Sequence, residues 1–309
     1  MKNTLSYPQR SVLSTPGSRP DMIEKALRSD ADVVFLDLED AVAPQAKAEA
    51  RRHVITALLE ADWRGRPRVI RINGVDTPWC YRDLVDIVEA AGSVLDVVIV
   101  PKVRSAADIV FVDTLLQQLE QAINRHEPIQ LEVQIETAAG VMHCDQIAQA
   151  SSRLISLIWG PGDYAASVGI PARAIGTTDD WDTHYPGHRF HYPMHRILVA
   201  ARATGLRAID GPYADFRDAD GLRHSCLIAR ALGYDGKWCI HPAQIPIVNE
   251  AFTPTEDEVR WAQEVLDAYS ASQRAGVGAV ALGATMLDAA SLRMAQSLLL
   301  RARAAGIVQ

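Results

Sequence analysis

Cysteine is scarce in this chain of 309 residues: there are four, Cys80, Cys144, Cys226 and Cys239, with no CxxC pair among them. That spacing argues against a disulfide framework and against a structural zinc site, and points to a reducing compartment, the cytoplasm. Long apolar runs are missing as well. No stretch approaches the about 18 uncharged apolar residues of a membrane span, and MKNTLSYPQRSVLSTPG at the start lacks the apolar core of a secretory signal. A soluble protein with no membrane partner is expected. Basic excess is absent too: the formal net charge of -7 leaves no electrostatic footprint for nucleic acid. No repeat or low-complexity tract stands out.

What is present is enough apolar residue, 48% of the chain, to bury a large core. An α/β barrel of about 250 residues plus an extension fits that length, and so do two small domains. The pattern of elements favours the barrel. Short β-rich runs recur at 11–14, 33–39, 68–72, 97–101, 130–136, 154–159, 206–210 and 236–240, with helix-like stretches between them such as 45–60, 105–125 and 218–232. Eight alternating units predict a closed (β/α)8 TIM barrel over residues 1–253. A doubly wound sheet would carry a Gly-rich nucleotide loop after its first strand, and STPGSRP is no GxGxxG fingerprint. Residues 254–309 then form a C-terminal helical extension: a helix over 254–275, a break at VGAVALG, and a final helix from about Met286 with Asp288 just inside it. Such a tail packs on the barrel, covers its mouth, or reaches a neighbouring subunit.

Catalytic groups of a parallel barrel come from the C-terminal ends of its strands. Two acids stand at such ends, Glu136 in LEVQIETAAG and Asp163 in LISLIWGPGDY. Together they suit an open Mg²⁺ site, since Mg²⁺ accepts one or two carboxylates and keeps its other positions for water or substrate; capping a helix or pairing with an arginine is the alternative. After the first strand, Arg19 and Lys25 lie near a helix start, where they would grip phosphates or simply be solvated. Alternation sends Asp37 and Glu39 to one side of the second strand, where they need a cation or donors. Arg71, within the apolar run of VIRING, is the partner on offer, either as a structural ion pair or as a guanidinium preorganised for an oxyanion. Lys102 suits an ion pair better than a Schiff base, because nearby acids keep an amine protonated. His184, His188, His191 and His195 crowd one loop, but Pro186 and Pro193 interrupt any helix that would align them on a metal. His241, past the eighth strand, faces the same mouth beside the ligand.

Read together, RSVLSTPGSRP, FLDLEDAV, VIRING, VPKV, IETAAG, GPGDYAASVGI, YPGHRFHY, AIDGPYADF, GKWCIHPAQI and MLDAASLRMA resemble, in order and spacing, the citrate lyase β-subunit-like branch of the HpcH/HpaI aldolase superfamily. Malyl-CoA, β-methylmalyl-CoA and citramalyl-CoA lyases are the nearest likeness, over about residues 10–305. The resemblance implies a trimeric or hexameric barrel that cleaves or forms a carbon–carbon bond between a CoA thioester enolate and a 2-oxo acid, glyoxylate or pyruvate. It implies Glu136 and Asp163 as ligands of Mg²⁺, with Mn²⁺ as an alternative, and Arg71 as the substrate-binding arginine supported by Asp37 and Glu39. Arg19 and Lys25 would meet the phosphates of coenzyme A, and Asp288 would be the acid a neighbouring subunit's tail brings to the mouth. Closure of a partly apolar lid is expected to raise its basicity.

Two departures bear on substrate preference. The stretch before the tail acid, which in the family reads Asp-Gly-Lys-Met, here reads Gly283, Ala284, Thr285, Met286; and Ser14 stands where a bulky side chain is common. A malyl-CoA thioesterase, a CoA-independent 2-oxo acid aldolase and a noncatalytic CoA-ester binding subunit remain as alternatives.

Overall fold

Strands that are apolar on both faces need cover on both sides, and runs such as VVFLD, VVIV and LISLIW find it between a barrel interior and a jacket of helices. The computed structural model describes residues 7–185, 188–274, 280–283 and 285–308. Eight parallel strands, β1 (Ser11–Pro16), β2 (Val33–Asp37), β3 (Val69–Arg71), β4 (Val97–Val100), β5 (Gln130–Ile135), β6 (Leu154–Trp159), β7 (Arg207–Asp210) and β8 (Gly236–Cys239), close in chain order. Closure is made by β1 against β8, with Ser11 opposite Lys237 and Leu13 opposite Cys239. The chain is thus a (β/α)8 TIM barrel, as its strand pattern implied.

Helix ends carry their own local reasons. Ser105 and Asp108 form a capping box at the helix Ala106–Ala122, and Asp218 accepts the Gly221 N–H at 2.9 Å to start Ala219–Leu232. The expected helix at 45–60 begins as a 3₁₀ turn, Pro44–Ala46, and becomes α-helical over Lys47–Glu60. All four cysteines are buried and unpaired. Among the described residues no helix is long and apolar enough to cross a membrane.

The interior of the barrel is partly polar. Glu132 and Gln134 alternate along β5 with Leu131, Val133 and Ile135; Glu132 meets Gln9 and Gln134 meets Arg71, so the polar face of β5 points inward. The Arg71 guanidinium rests 5.7 Å from the Phe35 ring centre and 5.3 Å from that of Trp238, aromatic support for a charge taken out of water.

The chain divides into two compact units, one holding Gln9–Ala251 and the other Phe252–Gln309. The second unit differs from the pair of helices expected. Its helix Glu256–Arg274 is followed by an antiparallel hairpin, β9 (Val280–Leu282) and β10 (Thr285–Leu287), and only then by the helix Ala289–Ala304. Met286 is therefore a strand residue. It is 73% exposed, and Thr285 before it is exposed too, while Leu287 is 1% exposed and joins the unit's core. Gly283, at φ +60°, makes the turn. Residues 275–279 and Ala284, which fall in the expected break and the altered lid stretch, lie outside the described residues. Ala262, Val265, Leu287, Ala295 and Leu299 form the unit's own core.

Candidate active site

The carboxyl ends of β2 and β3 supply the first half of the site. Asp37 ends β2 fully buried, and Arg71 ends β3 beside it. Arg71 Nε donates to Asp37 Oδ1 at 2.7 Å and Nη2 to Oδ2 at 2.6 Å, a two-pronged pairing that fixes the guanidinium plane. Its third nitrogen, Nη1, donates to Gln134 Oε1 at 3.2 Å and lies 3.2 Å from Glu39 Oε2. Burial opposes the charge on Arg71, yet Asp37 and Glu39 outweigh it and raise its pKa. Glu39 is shifted up, by burial first, with Arg71 and Lys102 pulling the other way. The sequence pattern had named Asp37, Glu39 and Arg71 as mutual partners, and the structure brings them together.

β5 and β6 supply the second half. Glu136 follows β5 directly and is 1% exposed. Its Oε1 accepts the Lys102 N–H at 2.8 Å and its Oε2 the Gln134 side-chain amide at 2.5 Å. Gly160 lies so close that a Cβ there would sit 2.5 Å from Glu136 Oε2. Asp163 occupies the first turn of the helix Pro161–Val168 without capping it, since Gly160 is the N-cap. The Lys102 ammonium joins the two halves: it reaches Glu39 at 2.5 Å, Asp40 at 3.0 Å and Asp163 at 3.8 Å. These acids outweigh the cost of burial and raise its pKa, so it stays an ammonium and is no Schiff-base nucleophile.

Charge balance says what this arrangement can hold. Among the described residues, Asp37, Glu39, Asp40, Glu136 and Asp163 gather around Arg71 and Lys102, and Lys47, whose ammonium donates to the Leu38 and Glu39 carbonyls, is a further cation on the Asp37 and Glu39 side, so carboxylates outnumber cations. Burial pushes the Glu136 carboxyl up to about 8 against the opposing pull of Arg71, and Asp163 and Glu39 push the same way. A carboxyl kept protonated by burial and by neighbouring carboxylates fits a hard divalent cation, to which Glu136 and Asp163 would both offer oxygen. Among the described residues no group of three or more His, Cys, Asp and Glu side chains forms a metal cage; an open site, with water or substrate in the remaining positions, needs only one or two carboxylates.

Other expected residues are placed less simply. Arg19 precedes the helix Pro20–Leu27, half exposed, and pairs with Asp21 through Nε and Nη2, both at 3.0 Å. Lys25 sits in the last turn of that helix, not near its start; eight residues span about 12 Å at 1.5 Å each, so the two cations mark opposite ends. His241 caps a 3₁₀ turn, its Nδ1 accepting from Ala243 N at 3.1 Å, and its ring stacks 4.7 Å from that of Phe216. His191 and His195 do share one helix, His191–Ala203, and their rings stack 5.5 Å apart. Pro193 falls in the first turn of that helix, where a missing N–H costs nothing, so it does not interrupt; Pro186 lies outside the described residues. The four histidines still make no metal cluster. Asp288 lies outside the last helix as its N-cap, its Oδ1 accepting from Ala290 N at 2.9 Å and Ser291 N at 3.0 Å. Those donors, Ser291 foremost, lower its pKa in the single chain, whereas the expected rise in basicity belongs to closure against a neighbouring subunit.

Gln134, Asp40 and Gly160 were not singled out from the sequence. Gln134 was within reach, because it stands two residues before Glu136 on the same face of β5.

Comparisons with known proteins bear on the family and the fold. A family model described as HpcH/HpaI aldolase/citrate lyase matches residues 10–242, and one described as a C–C bond lyase of the TIM-barrel fold matches residues 189–307. The chain is 42% identical over 297 residues to an L-malyl-CoA/β-methylmalyl-CoA lyase of Cereibacter sphaeroides, covering 94% of this chain and 93% of that one. To a (3S)-malyl-CoA thioesterase of the same species it is 36% identical over 299 residues, covering 97% and 96%. Among solved structures it resembles protein CitE of Mycobacterium tuberculosis in complex with magnesium, acetoacetate and coenzyme A, with 32% identity and a TM-score of 0.76 over 97% of this chain and 100% of that one.

Proposed function

The chain belongs to the HpcH/HpaI aldolase/citrate lyase family, and from that membership we propose a Mg²⁺-dependent carbon–carbon lyase. It reversibly cleaves a 3-hydroxyacyl-CoA thioester, such as malyl-CoA, β-methylmalyl-CoA or citramalyl-CoA, into an acyl-CoA and a 2-oxo acid, glyoxylate or pyruvate. The observation that carries this reading is the buried, charge-starved Glu136 with Asp163 and Arg71 around it. Glu136 and Asp163 would hold Mg²⁺, and Mn²⁺ suits the same oxygens. The chemistry such an ion supplies is polarisation of the 2-oxo acid carbonyl and a template for the adjacent carboxylate.

The protein's own groups do the rest. Arg71, locked by Asp37 and Gln134, faces developing negative charge without having to reorganise. Asp288 of a neighbouring subunit gives a proton to the carbon beside the thioester in cleavage and takes one from it in condensation. Arg19 and Lys25 meet the coenzyme A phosphates, and His241 lines the mouth. In this reading residues 254–309 serve as lid and oligomer contact in a homotrimer or hexamer, and the enzyme works in the cytoplasm, which suits four unpaired thiols.

The test is product analysis by mass after incubating the purified chain with Mg²⁺ and malyl-CoA, β-methylmalyl-CoA or either citramalyl-CoA enantiomer. Release of glyoxylate or pyruvate with an acyl-CoA supports the lyase. Free CoA with an intact hydroxy acid would instead support a thioesterase, the second reading that the 36% identity to such an enzyme keeps in play.

A further inference from the structure

We infer that Lys102 is a positioning residue for the cation site: its main chain, held left-handed by its own ammonium, aims the N–H that orients Glu136. The inference rests on the reading of Glu136 as a metal ligand. Lys102 has φ +52°, a region L-residues avoid because Cβ crowds the following carbonyl. Arg64 and Asn124 are the other non-glycine residues with positive φ among those described, and both lie in turns between elements. Lys102 instead follows β4 by two residues, at the catalytic end of the barrel. Backbone strain persists only where the surroundings over-determine it, and here they do. Nζ is anchored to Glu39 at 2.5 Å and to both oxygens of Asp40 at 3.0 Å, beyond the end of β2, while the N–H reaches Glu136 Oε1 at 2.8 Å, at the end of β5. Gln134 holds the other oxygen, and Gly160, by carrying no Cβ, leaves the space that the Glu136 side chain fills. Each Glu136 oxygen therefore has one donor to direct it, the kind of outer support that orients metal-binding side chains.

Charge and conformation can be separated by two substitutions. Lys102→Gly and Lys102→Ala both remove the ammonium, so any electrostatic change is common to them, but only Gly adopts positive φ without an anchor. Mn²⁺ affinity is measured on the full chain by electron paramagnetic resonance, at a temperature where circular dichroism shows both variants fully folded. The expected result is that Ala binds about tenfold more weakly than Gly, with Lys102→Asn, which tolerates the left-handed region, following Gly. Equal affinity in Gly and Ala while the native chain binds Mn²⁺ overturns the inference alone, as does tighter binding in both, the mark of a mere counter-ion. A native chain that binds no Mn²⁺ overturns the metal reading itself, and this inference with it.

Discussion

At the end of β5, Glu136 accepts two hydrogen bonds and still holds its proton up to about pH 8; at the start of the last helix, Asp288 accepts two backbone N–H bonds and its pKa falls. Donors stabilise the ionised form in both places, so hydrogen bonding does not explain the difference. Water does. Glu136 is 1% exposed and crowded by Asp163 and Glu39, whereas Asp288 stands in solvent with Arg293 as its charged neighbour. The barrel acid thus waits for positive charge to release its proton. The tail acid, as capped here, is an ionised carboxylate of lowered basicity, a weak acceptor with no proton to give, so its part in either direction requires an environment that raises its pKa.

Substitution separates the two acids most sharply. Glu136→Ala is expected to abolish both Mn²⁺ binding and turnover, since it removes one of the two carboxylates proposed to hold the ion. Asp288→Ala should lower kcat by about 10²–10⁴, the usual worth of a positioned proton carrier, while Mn²⁺ affinity by paramagnetic resonance stays at the native value. Full activity in Asp288→Ala would break the comparison outright. Arg71→Ala acts on stability as well: it strands the fully buried Asp37 without its partner, and a broken buried pair costs about 3–5 kcal/mol. Urea denaturation measures that loss.

A smaller effect follows from the proton on Glu136. Its pKa is raised from an ordinary 4.5 to about 8, so in metal-free protein the folded state keeps a proton that the unfolded chain gives up between those values. The contribution is fully present below pH 4.5 and is lost as pH rises toward 8. Mg²⁺ must displace that proton, and therefore binds better at higher pH. The rise in unfolding temperature on adding Mg²⁺ should be larger at pH 8 than at pH 6; a pH-independent increment would place the ion elsewhere.

The two regions also differed in how legible they were. All eight barrel strands could be found because short β-rich runs, several of them apolar throughout like VVFLD and VVIV, recur between helix-like stretches, and period-two alternation put Asp37 and Glu39 together facing Arg71. Lys102 was read for its charge alone, since nothing local in VPKV announces a left-handed main chain held by Glu39 and Asp40, some 60 positions away. In the tail, Thr285–Leu287 is too short a strand to show against the helix that follows, so the helix start was drawn too early and Asp288 placed inside it. The capping pattern itself, Asp288 with Ser291 three residues on, was there to be read.

Arg19 blurs the division, for it belongs to the barrel unit yet is as open to solvent as the tail acid. Its side chain is 57% exposed and its partner Asp21 51% exposed. An ion pair so placed is worth little, and so is a phosphate contact made from it. Arg19→Ala should therefore raise KM for the CoA ester only several-fold, leave kcat unchanged, and lose most of that effect at high salt, where the Debye length shrinks to about 3 Å. Asp21→Ala releases the guanidinium and should lower KM under the same low-salt conditions. If neither substitution moves KM, the phosphates of coenzyme A are not met at this helix, and a CoA-independent aldolase gains ground. If the two move it in opposite directions, exposure has not excluded function in the barrel unit, and the contrast with Asp288 reduces to what each group's nearest donors do to its charge.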